Sequence, residues 1–189
     1  MDDRMALDAL KGGDPTGMDA LVAAHQRRAL RIAYQITRDS QAAEDVVADA
    51  FLSVFRQIGT QDSSRPFQPW FFRIVVNGAI SITRRRSRMQ RLVGLLPRIT
   101  ATVDPLVVVE SNDEKRAVIA ALERLPAKER AALALRYLED LDERSIAEIL
   151  GWPLGTVKTL LHRGRQHLRK YISRGGTDAP ALGLIGGSE

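Results

Sequence analysis

Few residues in this 189-residue chain could do covalent chemistry. There is no cysteine, which removes disulfides, thiolate metal sites and thiol nucleophiles together. His25 sits beside Val22 on the apolar side of a helical pattern, and no second histidine, cysteine or carboxylate is spaced to complete a metal site, so it reads as a packed core or boundary residue. Asp45 and Asp49, one helical turn apart with Glu44 nearby, are the best-placed carboxylates. A pair at i, i+4 can act as acid and base or hold a metal, but no nucleophile, histidine or further oxygen ligand accompanies this one. No catalytic residue, no metal site and no cofactor is expected; the acids read as a protein-contact face or a solvated one.

The chemistry the chain does carry is electrostatic. From Trp152 to Arg174 there are six Lys or Arg and no acid, a surface that attracts a polyanion. A second concentration of charge is Arg84-Arg85-Arg86-Ser87-Arg88, which closes a stripe of Arg73, Asn77, Ser81, Arg84 and Arg88 at helical spacing. Just before that stripe lie Arg65, Phe67 and Trp70. Cations that track phosphates beside aromatics that take bases are the components of a single-strand nucleic-acid site. The alternative is that the aromatics are simply core, and for most of them that reading is adopted. The net charge of +5 favours an anionic partner without proving one.

The elements that must position these groups are all helical. Residues 2–12 suit a short helix ending at Gly12-Gly13, and Asp14-Pro15-Thr16 starts a second that runs to about Thr37, with Val22, Ala29, Ala33 and Ile36 on one side. After Arg38-Asp39-Ser40 a third helix spans about Gln41 to Ile58, with an apolar stripe of Val47, Phe51 or Ala50, Val54 and Ile58. GTQDSSRPFQP is a loop holding an exposed-looking Arg65 and Phe67. The helix from Pro69-Trp70 to about Arg88 buries Phe71, Ile74, Gly78 and Ile82. Residues 92–112, with two prolines and no helical period, read as an apolar linker.

Asp113 opens a helix lined by Val118, Ala121, Leu122 and Leu125, and AKERAALALRYLED forms the next. In ERSIAEILGWPLGTVKTLLHRGRQHLRKY, Gly151 is placed to leave a helix with positive φ, and Pro153 starts another whose Val157, Leu161, Gly164 and Leu168 face a core. This is the pattern of a helix-turn-helix whose second helix enters a DNA major groove. A solvated basic helix in an ordinary bundle is the competing account. The fold class is therefore all-α: two small helical domains over 1–91 and 113–173, joined by a linker over 92–112, the second a four-helix domain with a helix-turn-helix. A disordered tail over 174–189 follows. The N-terminus, MDDRMALDAL, lacks a signal pattern and no apolar run approaches bilayer length, so a cytoplasmic protein with no membrane insertion is expected.

AEDVVADAFLSVFRQI, then PWFFRIVVNGAISITRRRSR, then LPAKERAALALRYLEDLDERSIAEILGWPLGTVKTLLHRGRQHLRKY resemble, in that order, an extracytoplasmic-function (ECF) RNA polymerase sigma factor of the sigma-70 superfamily. The resemblance covers nearly everything between Asp14 and Tyr171. It implies a first domain that binds the β′ clamp helices of core RNA polymerase through Asp45, Asp49 and Phe51. The same domain captures the melted −10 strand of promoter DNA, with Asn77 and Arg84 in the melting helix beside Arg73 and Arg88, and Arg65 and Phe67 in the base-holding loop. Ala48 and Ser81 depart from the family pattern, which usually has glutamine and an acid there. It further implies a second domain that docks on the β flap and reads the −35 element, with Arg136 and Thr156 on phosphates and Lys158, Thr159, His162 and Arg163 toward the groove. Leu160 replaces a common arginine, which weakens DNA contact unless an apolar contact to a thymine methyl offsets the loss. An anti-sigma factor is an expected further partner. A stand-alone helix-turn-helix regulator is the rival, and it would bind a palindrome as a dimer without polymerase.

Overall fold

A computed structural model of the chain describes residues 1–60, 66–93 and 113–174, and among these the regular elements are all helices. The first domain holds α1 (Asp3–Lys11), α2 (Thr16–Thr37), α3 (Ser40–Gln57), a 3₁₀ turn (Ile58–Thr60) and α4 (Phe67–Val93). The second holds α5 (Asp113–Glu123), α6 (Ala127–Tyr137), α7 (Glu143–Leu150) and α8 (Leu154–Arg174). Carboxylates start three of them: Asp2 accepts from the Met5 amide at 2.8 Å, Asp39 from Ala42 at 2.7 Å and Asp142 from Ser145 at 2.7 Å. Each satisfies an N–H that the helix itself cannot. Gly151 ends α7 at φ 65°, its N–H turned back to the Ala147 and Glu148 carbonyls, as its place in the sequence requires.

In the first domain α2 lies against α1, α3 and α4. It buries Leu21, His25, Ala29, Ile32, Ala33 and Ile36, so Val22 sits at the margin of the buried face and not at its centre. His25 is a core residue: it is 7% exposed, hydrogen-bonded to the Asp3 carboxylate at 2.7 Å and surrounded by the rings of Phe67, Phe71 and Phe72. The expected stripe on α4 is also displaced. Phe71, Phe72, Val75, Val76, Ala79 and Ile80 are buried, while Ile74, Gly78 and Ile82 are half-buried. The cause is that α4 packs on α2 and α3 and also on α6 and α7, so it buries a wider arc than a single stripe provides.

The second domain closes as its periodicity implies, with Val157, Leu161, Gly164 and Leu168 of α8 all buried. A Cβ on Gly164 would lie 2.9 Å from Leu133 Cδ1, so the glycine is what lets α8 approach α6. Every residue of α6 from Glu129 to Leu135 is buried, because α7 and α8 cover one part of its surface and α2 and α4 another. The two domains are thus in direct contact. The expected linker beyond Val93 and the expected tail beyond Arg174 lie outside the described residues.

Gly17 tests the packing of α1 on α2. A Cβ there would meet the Ala6 carbonyl oxygen at 2.3 Å and the Leu10 amide nitrogen at 2.8 Å, both backbone atoms that cannot swing aside. Urea denaturation of Gly17→Ala should show a loss of about 1–3 kcal/mol from overpacking. Gly59→Ala, with nothing within 4 Å of the added carbon, should change stability by less than about 0.5 kcal/mol.

Candidate nucleic-acid interface

The helix α4 presents Arg73, Asn77, Ser81, Arg84 and Arg88 on one exposed side, as their spacing requires. Asn77, Ser81, Arg84, Arg85 and Arg88 form one wall of a cleft of about 640 Å³, which Lys128 and Trp152 of the second domain close from the other side. The Lys128 ammonium stands 5.1 Å from the Trp152 ring centroid, so a cation and an aromatic face are presented together. Arg73 is differently engaged: its Nε donates to the Ile149 carbonyl at 2.8 Å and its Nη2 to that of Glu148. Arg86 turns away from the stripe to pair with Asp39 at 2.8 Å.

Phe67 corrects the sequence expectation. It is not an exposed loop residue but the first residue of α4, 2% exposed, stacked on Phe71 at 5.4 Å and edge-on to Trp70 at 5.8 Å. Helix α4 starts before Pro69, which the first turn tolerates, and this draws the ring into the core. A base cannot stack on Phe67 in this arrangement. Arg65, the other residue expected in that loop, lies outside the described residues.

On α8, Thr156, Lys158, Thr159, His162 and Arg163 are exposed, opposite the buried stripe. The Thr159 hydroxyl donates to the Gly155 carbonyl at 2.8 Å, leaving its oxygen as an acceptor. Leu160 lies at the edge of this face, next to Thr156 and Arg163 around the helix. It is half-buried against the core and lines a second cleft with Arg84, Arg88, Pro126 and Tyr171. Its helical position, three residues from Val157 and four from Gly164, places it on the flank of the buried stripe. Arg136 donates to the Leu141 carbonyl at 3.0 Å, so it braces the approach to α7 while remaining half-exposed.

On α3, Asp45 and Asp49 are exposed, and Gln41 donates to Asp45 at 3.2 Å. Phe51 is half-buried, its ring 4.6 Å from that of Phe71, so its aromatic face serves the core first. Two residues that periodicity did not single out stand beside the acids: Leu52 is 50% exposed and Phe55 60% exposed. Large apolar side chains left in water next to carboxylates make a mixed acidic and apolar surface of the kind that a partner covers. The signal was present, since 45, 49, 52 and 55 follow one another at helical spacing, but which stripe faces the core is settled only by the packing.

A model of sigma-70 region 2 matches residues 21–89, and one of sigma-70 region 4 matches residues 115–168. SigM of Mycobacterium tuberculosis, an ECF RNA polymerase sigma factor, is 31% identical over 170 residues, covering 90% of this chain and 84% of the relative. The chain belongs to the ECF RNA polymerase sigma factors. SigE of Mycolicibacterium smegmatis is 34% identical over 168 residues, and the alignment covers 86% of this sigma factor but only 65% of the relative. The solved structure of CnrH with the cytosolic domain of CnrY has the same fold, with a TM-score of 0.67 at 22% identity over 94% of this chain and 99% of that one. The sigma factor RpoE of Bartonella quintana, solved with the anti-sigma factor NepR, is similar with a TM-score of 0.59 and 25% identity over 77% and 91%.

The arginine run of this sigma factor is anchored by Asp39. Partial burial raises the pKa of that carboxyl, but hydrogen bonds from the Ala42 amide and the Arg86 guanidinium, with the guanidinium's charge, outweigh it and leave the pKa lowered. A depressed carboxylate pKa gives stability that is present above the unfolded value and lost as pH falls through the folded one. Asp39→Ala should therefore cost about 1 kcal/mol at neutral pH through the lost cap. In urea titrations the gap between wild type and variant should close as pH falls below about 4.

Proposed function

We propose that this sigma factor divides its task between a region 2 domain over 1–91 and a region 4 domain over 113–173, with residues 92–112 as the linker between them. In this reading the acidic and apolar face of α3, from Asp45 and Asp49 to Leu52 and Phe55, docks on core RNA polymerase at the β′ clamp helices. Asn77, Arg84 and Arg88, with Arg73 at the start of the same stripe, hold the unpaired −10 strand. The α8 face of Thr156, Lys158, Thr159, His162 and Arg163 reads the −35 element while the domain rests on the β flap. The observation that carries this is the segregation of surfaces: a mixed acidic and apolar face for protein lies on α3, and basic faces for nucleic acid lie on α4 and α8.

The chain is then an initiation subunit that works in the cytoplasm, and it is not an enzyme. It supplies promoter choice and traps the open strand, so that binding of unpaired bases offsets the cost of unstacking them. Among the described residues no helix is long and apolar enough to cross a membrane. An anti-sigma partner is part of the proposal, by analogy with the RpoE–NepR complex.

The decisive experiment adds the purified chain to sigma-free core polymerase and a promoter library; start-site-specific transcripts are expected, and their absence together with no core binding would sink the reading. Asp49→Arg, and separately the pair Leu52→Ala, Phe55→Ala, should lower core affinity at least about tenfold, because charged and aromatic anchors dominate such interfaces. Arg163→Ala should leave core affinity unchanged and weaken −35 recognition by about 1–3 kcal/mol.

A further inference from the structure

Several cations near the meeting of the two domains are answered by the protein itself. The Glu139 carboxylate, its side chain only 2% exposed, accepts from Arg31 Nη2 at 2.9 Å and from Arg28 Nε, both on α2. Arg73 donates to the Glu148 and Ile149 carbonyls, and Arg86 pairs with Asp39. Arg84, Arg85, Arg88 and Lys128 differ: among the described residues none of them has a carboxylate within ion-pair range. Yet all four converge on the cleft of about 640 Å³, three from α4 and Lys128 from α6. Arg84, Arg88 and Lys128 also face the adjoining cleft of about 1020 Å³, where Glu123 is the one acid among the described lining residues. Like charges one helical turn apart, as Arg84 and Arg88 are, repel each other. Positive charge gathered between two walls without a counter-charge attracts an anion that carries several charges of its own.

We propose that this cleft is a binding site for a nucleoside oligophosphate, with the phosphates between Arg84, Arg85, Arg88 and Lys128 and the base against Trp152. Planar guanidinium groups with a lysine ammonium opposite them suit phosphate oxygens. A single phosphate, with about two negative charges, would leave half of this charge unanswered, and a chain of three comes closer to matching it. The cleft is graded in a way that fits the rest of such a molecule. Its lining on α4 passes from the neutral Asn77 and Ser81 to the arginines, a run of about 16 Å from residue 77 to residue 88 at the helical rise. Trp152 and Ile80 add apolar lining, and any base can lie on an aromatic ring. The volume is that of a small-molecule site. Arg84 and Arg88 cannot hold this ligand and a DNA phosphate together, so the nucleotide competes with the −10 strand; that consequence, unlike the binding itself, rests on the assignment of the α4 stripe.

Isothermal titration calorimetry of guanosine triphosphate into the full-length chain, without polymerase or DNA, should show one saturable site. Arg85→Ala and Lys128→Ala remove exposed side chains that have no ion pair to lose, and each should weaken binding about tenfold through one missing charge-assisted contact. Arg27→Ala, at an exposed position of α2 away from the cleft, should leave binding unchanged. Inorganic triphosphate should bind about tenfold more weakly than the nucleotide, because it has no base to place on Trp152. No saturation below about 1 mM overturns the site. A loss in Arg27→Ala equal to that in Lys128→Ala reduces the binding to general charge attraction and overturns it as well. Inorganic triphosphate that binds as tightly as the nucleotide overturns the place given to the base. Guanosine triphosphate should also displace a fluorescent −10 single-stranded oligonucleotide from the wild-type chain, and at about tenfold higher concentration from Lys128→Ala. Calorimetric binding without displacement overturns the sharing of Arg84 and Arg88 with DNA and leaves the nucleotide site standing, so the two readings fail separately.

Discussion

Helix C-termini set the terms on which this molecule holds together. Neither α5 nor α7 has a base in its last turn, and a guanidinium from another helix reaches the C-terminal carbonyls of each, where a cation is favoured. Arg130 of α6 meets those of α5, donating to Leu122 and Glu123 at 3.3 and 3.0 Å. Arg73 of α4 meets those of α7. The first contact lies within the second domain and the second crosses between domains, so the same physical need shapes both the domain and its docking. Between them runs α6, whose Ala131, Ala132 and Ala134 are small enough for helices to close on it from every side.

The cost of this arrangement falls on buried arginines. Arg38, the left-handed residue that ends α2, and Arg130 are 8% and 6% exposed, and the Nε of each lacks a partner. Burial, and then the proximity of Arg38, lower Arg130 to about 10, still far enough above neutrality that it remains charged. Two like charges in a poorly solvated site are tolerated because each is partly satisfied: Arg38 by Gln35 at 2.8 Å and by the Tyr34 ring at 4.9 Å, Arg130 by the α5 carbonyls. The two Nε atoms left over mark this part of the interface as less than fully satisfied.

How much was legible in the sequence follows from which signals are local. Helix positions, the Gly151 turn, the α8 stripe and the core role of His25 depend on period and capping, which neighbours along the chain determine. The displaced stripes on α2 and α4 were not legible, because a helix that packs on several partners buries an arc whose centre no single period reveals. Phe67 was misplaced for a related reason: Pro69 reads as a helix start, yet a first turn accepts proline at its third residue, and the helix begins two residues earlier. Glu139, Arg28, Arg31 and Arg73 look like solvated charges in any one-dimensional reading, and only the docking of two domains makes partners of them.

That last group bears on how the chain can work at all. Charged pairs lose little on being replaced by water when they are exposed, but Glu139 is buried and its loss from one side would leave charge without solvent. A pair of this kind is held or lost as a unit, because a half-broken one would keep the desolvation cost and forfeit the attraction. The ionic contacts stand beside apolar ones, because α2 and α4 also cover part of α6, whose Ala131, Ala132, Ala134 and Leu135 are buried. The domains therefore meet through a seam in which apolar burial supplies the attraction and the charged groups fix the geometry.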